Sequence, residues 1–127
     1  MNEDEEESDF YASIPVELNM AEVLVDENIR KGRGERVAIH YGDEKLTYNW
    51  LHDKVCQAAN AFTDLGLDIE NRYLILLHDC PEFICAFLGG MRLGAVPVCV
   101  NPMLNEKDTR FMLEDSNARA LLTEQGL

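Results

Sequence analysis

Residues 73–100 read YLILLHDCPEFICAFLGGMRLGAVPVCV. Tyr73–Leu77 is an unbroken apolar run of strand length, the mark of a strand covered on both faces. His78-Asp79-Cys80 interrupts it. Pro81 then suits the first position of a helix, because its missing N–H is one a first turn leaves unpaired anyway. Ile84, Phe87, Leu88 and Met91 recur at helical spacing and predict that helix's buried stripe. Gly94 ends the helix, and Val96–Val100 follows as a second apolar strand, expected to be central. Strand, helix and strand in so few residues form the βαβ unit of a parallel sheet.

Downstream the rhythm repeats. Asn101-Pro102 breaks the second strand, and Asn105 is placed to cap a helix that has Asp108 in its first turn. Phe111 and Met112 are its core candidates, and Ala118–Thr123 predicts a third strand. Strand centres near residues 75, 98 and 121 recur at a constant interval, as βαβαβ requires.

Upstream, Thr47 can cap a helix on which Leu51, Val55, Ala58, Phe62 and Leu65 share one face, with Gly66 as its stop. Before it, Arg36–Tyr41 alternates, with Val37, Ile39 and Tyr41 on one side and Ala38 and His40 on the other. Gly42-Asp43 and Lys45-Leu46-Thr47 complete a β-hairpin signature. Asn19 and Glu22 have capping-box spacing, which predicts a short helix from Met20 to about Arg30.

The chain has 127 residues, 46% hydrophobic and 28% charged, enough to bury a core. Its net charge is −13, and six acids fall within the first ten residues without a single base. Residues 11–127 keep 18 acidic against 11 basic groups. Residues 1–18 therefore read as an acidic tail, disordered over its first ten residues, ahead of one domain over 19–127. A surface of this sign repels phosphate backbones, which argues against nucleic acid as a partner. The start has no basic and apolar leader, and no apolar run is long enough to span a bilayer, so a cytoplasmic location is expected.

Cys56, Cys80, Cys85 and Cys99 form no C-x-x-C pair and read as reduced thiols. Cys56, Cys85 and Cys99 are expected on buried faces, which leaves Cys80 as the thiol that reacts quickly. At the cap position before Pro81, the helix dipole could lower its pKa; alternatively it is a poor cap tolerated by packing.

No phosphate-cradling glycine loop and no H-E-x-x-H pair is present. Gly89-Gly90 falls inside a helix, where close packing explains it better than phosphate binding. His78-Asp79 ends a parallel strand, where ligands of open α/β sheets bind, but a solvated turn is the simpler reading. No catalytic, cofactor-binding or metal-ligating residue is assigned within 1–127.

These stretches resemble the adenylate-forming superfamily. Gly42-Asp43-Glu44-Lys45-Leu46-Thr47-Tyr48 is similar to its hairpin-to-helix junction, and Asp79-Cys80-Pro81-Glu82-Phe83 to the start of its next helix. Ala86-Phe87-Leu88-Gly89, Leu93-Gly94-Ala95-Val96-Pro97-Val98 and Asn101-Pro102-Met103-Leu104 continue the likeness. Phe111-Met112-Leu113-Glu114-Asp115-Ser116 completes it, in wording most similar to the benzoate-CoA ligase branch. Trp50, Cys80 and Met103 depart from the usual residues, Met103 replacing an arginine that in some relatives reaches CoA phosphates. The resemblance implies an α/β fold, the first part of a larger ligase domain. It also implies a chemistry: a carboxylic acid is activated by Mg-ATP to an acyl-adenylate, and the CoA thiol then displaces AMP. The groups that handle ATP belong to later parts of such chains, so residues 1–127 are expected to be structural and inactive alone. The alternatives are a free-standing module that pairs with a partner and a flavodoxin-like nucleotide binder, against which the lack of glycine- or hydroxyl-rich loops after the strands argues.

Strands this apolar need more cover than three helices and a hairpin supply. The isolated chain is therefore expected to self-associate as salt screens its charge. Light scattering and dye fluorescence across a salt series check this; a compact, dye-silent monomer at every salt contradicts it.

Overall fold

β3 (Arg72–Leu76) lies between β4 (Val96–Cys99) and β5 (Ala120–Thr123) and runs parallel to both. The computed structural model describes residues 11–127; the acidic run expected to be disordered lies outside the described residues. Preceding the sheet are a π-helical turn, Glu22–Asp26, continuing into α1 (Glu27–Arg30), and a hairpin of β1 (Val37–Tyr41) and β2 (Glu44–Thr47). α2 (Tyr48–Asp64) leads into β3, α3 (Pro81–Leu93) joins β3 to β4, and α4 (Glu106–Asp115) joins β4 to β5. The expected α/β order is present, with one correction. β3, not the Val96–Val100 segment, is the central strand, and Val96 and Cys99 are exposed.

The unbroken apolar run of β3 follows from its position. Tyr73 and Ile75 enter one cluster with Phe62, Leu67, Ala86 and Ala95, beneath α2 and α3. Leu74 and Leu76 point the other way, into a cluster with Val100, Val98, Met112 and Leu113. Tyr73, Leu74 and Ile75 are fully buried, and burying Leu74 or Ile75 contributes about 1.5–3 kcal/mol each. A third cluster unites Ala21, Val25, Leu51, Val55, Cys85 and Leu88, with Ala38 and Ile39 of the hairpin packed on it.

α3 touches neighbours on two sides, which a single-stripe reading underestimates. Pro81, Cys85, Ala86, Leu88, Gly89 and Gly90 are its buried residues, whereas Ile84, Phe87 and Met91 are only half-buried. The glycines set two close approaches. A Cβ on Gly89 would stand 2.6 Å from the Ala58 Cβ of α2, and one on Gly90 would collide with the Tyr73 ring and hydroxyl. The packing explanation of Gly89-Gly90 is the observed one.

Caps fix the boundaries. Thr47 Oγ1 accepts from Trp50 N–H at 3.2 Å, and Asn105 Oδ1 accepts from Asp108 N–H at 2.9 Å. At the end of α2, Leu67 N–H donates to Phe62 C=O and Gly66 N–H to Thr63 C=O, each at 2.9 Å, a Schellman motif with Gly66 at φ +81°. This is why Leu65 departs from its expected role. It caps the helix at 70% exposure, and Leu67 beyond the turn takes the core position against Phe62. Phe111 is likewise 62% exposed, and Met112 with Leu113 supplies the α4 contact instead. In the hairpin, a register shift between Val37 and Ile39 lets Ala38 and Ile39 both reach the core, so the simple alternation fails there.

Gly90→Ala is predicted to cost about 1–3 kcal/mol as overpacking, whereas Leu65→Ala costs under about 0.5 kcal/mol. Tyr73→Phe added to Gly90→Ala should cost less than the two single changes together, because both act on one contact. Urea unfolding of the four variants checks this; strict additivity contradicts the contact.

Candidate functional site

Beyond the carboxyl ends of β3 and β4, the chain leaves a cleft of about 430 Å³. Leu77, His78 and Asp79 line it from the segment after β3, and Cys99 at the end of β4 with Val100, Asn101, Pro102 and Met103 beyond it, together with Phe83 of α3. Such crevices are where open α/β sheets bind ligands, and the walls here are largely apolar. A second cleft, of about 350 Å³, shares Asp79 and Phe83 and runs between the hairpin residues Ile39, His40 and Tyr41 and the start of α3.

Two polar groups of the first cleft, Asn101 and His78, are tied to the scaffold. Asn101 Oδ1 accepts from Met103 N–H at 2.9 Å and shapes the turn leaving β4. His78 is bound to Glu124: its backbone N–H donates to Glu124 Oε1 at 3.3 Å, and its ring Nδ1 contacts the same oxygen. That hydrogen bond holds the Glu124 carboxyl below the usual carboxylate range. The pair joins residues 46 apart in sequence. Its origin is register: Leu76 pairs with Thr123, so residues just past the two parallel strands arrive side by side. Glu124 escapes local sequence reading, and only the adjacency of β3 and β5 could have revealed it.

Cys80 sits at the N-cap of α3 without a side-chain cap bond. Burial pushes its thiol up, contrary to the dipole-lowered possibility, and the neighbouring Glu82 adds to the rise. The expected ranking of thiols also changes. All four are free, but only Cys85 is buried; Cys99, on the edge strand β4, is exposed, and Cys56 is half-buried. Burial raises Cys85 to about 11.

Among the described residues no group of three or more His, Cys, Asp or Glu side chains is arranged to hold a metal ion. None of the described helices is long and apolar enough to cross a membrane. The cleft therefore offers shape, apolar surface and a buttressed His–Glu pair.

A family profile described as AMP-binding enzyme matches residues 25–127. The chain belongs to the AMP-binding enzyme family. It is 39% identical over 115 residues to the acetyl-coenzyme A synthetase of Mycolicibacterium smegmatis, covering 86% of this chain and 12% of that protein. With the benzoate–CoA ligase of Thauera aromatica it shares 35% over 115 residues, covering 90% of this chain and 22% of the relative. The solved benzoate CoA ligase of Burkholderia xenovorans LB400 superimposes with a TM-score of 0.77 at 32% identity, over 83% of this chain and 21% of that one. The antiparallel hairpin and three-stranded parallel sheet thus match the N-terminal part of the adenylate-forming ligase fold. The chain spans about a fifth or less of the length of these AMP-binding relatives.

A depressed carboxylate stabilises the fold at pH values above its unfolded pKa, and that contribution disappears as pH falls through the folded pKa. Glu124→Gln should therefore weaken the fold at neutral pH, with the difference from wild type closing well below pH 4.5, the ordinary value for this group. Urea midpoints at the two pH extremes check this; a difference independent of pH contradicts the His78–Glu124 assignment.

Proposed function

We propose that this chain is the first structural portion of an ATP-dependent ligase that joins a carboxylic acid to coenzyme A, with an aromatic acid as the substrate class. The observation that carries the proposal is the joint match in sequence and backbone to a benzoate CoA ligase, at 32% identity and a TM-score of 0.77. The benzoate–CoA ligase of Thauera aromatica, matched over 90% of this chain, supports the aromatic class. The match to an acetyl-coenzyme A synthetase supports the broader acid–CoA ligase class equally well.

In the proposed reaction the acid's carboxylate attacks the α-phosphorus of ATP, pyrophosphate leaves, and the CoA thiolate then displaces AMP from the acyl-adenylate. Charge accumulates on phosphate oxygens, which calls for preorganised donors and a cation. Among the described residues no cluster of side chains is arranged to hold Mg. Gly89 and Gly90 are committed to packing, and no phosphate cradle is built from them. The role proposed for residues 19–127 is therefore to raise one wall of the large domain, and residues 1–18 are proposed as a separate tail. Asn19 is where the chain takes hold of that wall, its Nδ2 donating to the Met91 carbonyl of α3 at 2.9 Å.

The test is acid-dependent exchange of labelled pyrophosphate into ATP, run with benzoate, a hydroxybenzoate and acetate. The 127-residue chain alone should be silent with all three. When the same residues form the start of a chain of the relatives' length, exchange should appear and be fastest with an aromatic acid. Exchange by the purified 127-residue chain, abolished by a substitution within it, would show that the chemistry resides here. A preference for acetate in the longer chain would overturn the aromatic assignment and keep the ligase.

A further inference from the structure

Away from the cleft, α2 carries a second group of reactive side chains. Cys56 lies one helical turn after His52, and its Sγ is 3.8 Å from His52 Nε2, within reach of a sulfur hydrogen bond. The other ring nitrogen, Nδ1, is 3.4 Å from a carboxylate oxygen of Asp53. Asp26 Oδ1 also stands 3.4 Å from Nε2, but Arg92 holds that same oxygen at 2.5 Å. In the Nδ1–H tautomer, Asp53 accepts from the ring and the Nε2 lone pair faces the thiol. This is the order of groups that activates a nucleophile: sulfur, imidazole, carboxylate.

The position also permits access. Cys56 is half-buried and the His52 side chain is 37% exposed, so a small reagent can reach both. Among the described residues no other thiol is hydrogen-bonded to an imidazole. Burial raises the thiols of Cys80, Cys85 and Cys99, which lowers their thiolate fraction at neutral pH.

We propose that Cys56 is a modification site, a thiol activated by His52 that adds to soft electrophiles of the α,β-unsaturated carbonyl class. In the addition, His52 Nε2 takes the thiol proton and the sulfur forms a bond to the β-carbon. The electron pair of the carbon–carbon double bond moves toward the carbonyl as an enolate. The proton held on His52 then goes to the α-carbon, leaving a saturated thioether. Nothing is oxidised or reduced, and no co-reactant is required. The site is independent of the acid–CoA ligase reading, since no residue of the cleft takes part.

The probe is N-ethylmaleimide at less than one equivalent on the native chain, with each labelled cysteine quantified by peptide mass mapping. Exposure alone ranks Cys99 first. The proposal instead puts Cys56 ahead of Cys99 by about tenfold, a modest share of what a positioned general base supplies. His52→Gln should bring the Cys56 rate down to or below that of Cys99, without changing the Cys99 rate. Asp53→Asn should lower the Cys56 rate by a smaller factor. Protection of buried Cys85 reports in each variant that the fold persists. If His52→Gln loses that protection, the wild-type ranking and Asp53→Asn decide. Cys99 or Cys80 reacting first in the wild-type chain overturns the proposal, as does a Cys56 rate indifferent to His52 in a folded variant.

Discussion

The fit of the Tyr73 ring beneath α3 governs this structure. Its hydroxyl donates to the carbonyl of Ala86 at 2.8 Å, with that of Phe87 at 3.2 Å, from a strand position with no solvent exposure. A buried hydroxyl without a partner costs about 1–3 kcal/mol, so the helix must stay where its carbonyls can be reached. Burial also pushes the phenol well above its ordinary range and keeps it a donor. The ring fits only because position 90 has no side chain, and it packs against Phe62 at a centroid distance of 5.0 Å. One tyrosine thereby fixes the heights of β3, α2 and α3 together.

Around that centre, the loose ends are tied down by polar groups reaching unpaired backbone or charge. Asn19 satisfies carbonyls at the end of α3, where a helix leaves acceptors without partners. Arg72 Nε does the same for α4 by donating to Ser116 C=O at 2.9 Å. Arg92 reaches Asp26 from α3 and fastens the first helical segment to it. These links join residues 44 to 73 apart in sequence, and the apolar clusters alone would not specify the angles they set.

The amino-acid pattern made most of this legible where a local rule operates. Pro81 at a first turn, Thr47 and Asn105 as caps, Gly66 and Gly94 as stops and the apolar run of β3 all act over a few residues. Three of the readings that failed turn on what surrounds a residue. Leu65, Phe111 and Cys99 are apolar or soft residues at plausible positions, and their exposure depends on which elements lie opposite. A Schellman turn displaced Leu65 in favour of Leu67, and an edge position uncovered Cys99. The His78–Glu124 and Cys56–His52–Asp53 contacts were invisible for different reasons. The first needs the order of strands in the sheet. The second joins ordinary surface residues whose spacing on the predicted helix carried no chemical signal until their side-chain contacts were seen.

The packing of the described residues is that of a three-stranded parallel sheet whose middle strand is the most deeply enclosed. Native-state hydrogen exchange tests that ordering most directly, since protection follows burial and cooperative packing. The amides of Tyr73, Leu74, Ile75 and Leu76 should exchange slowest of all strand amides, with those of Val98 and Cys99 and of Leu121 and Leu122 clearly faster. Slower exchange in Val98 and Cys99 than in β3 would contradict the central place given to Tyr73 and its strand.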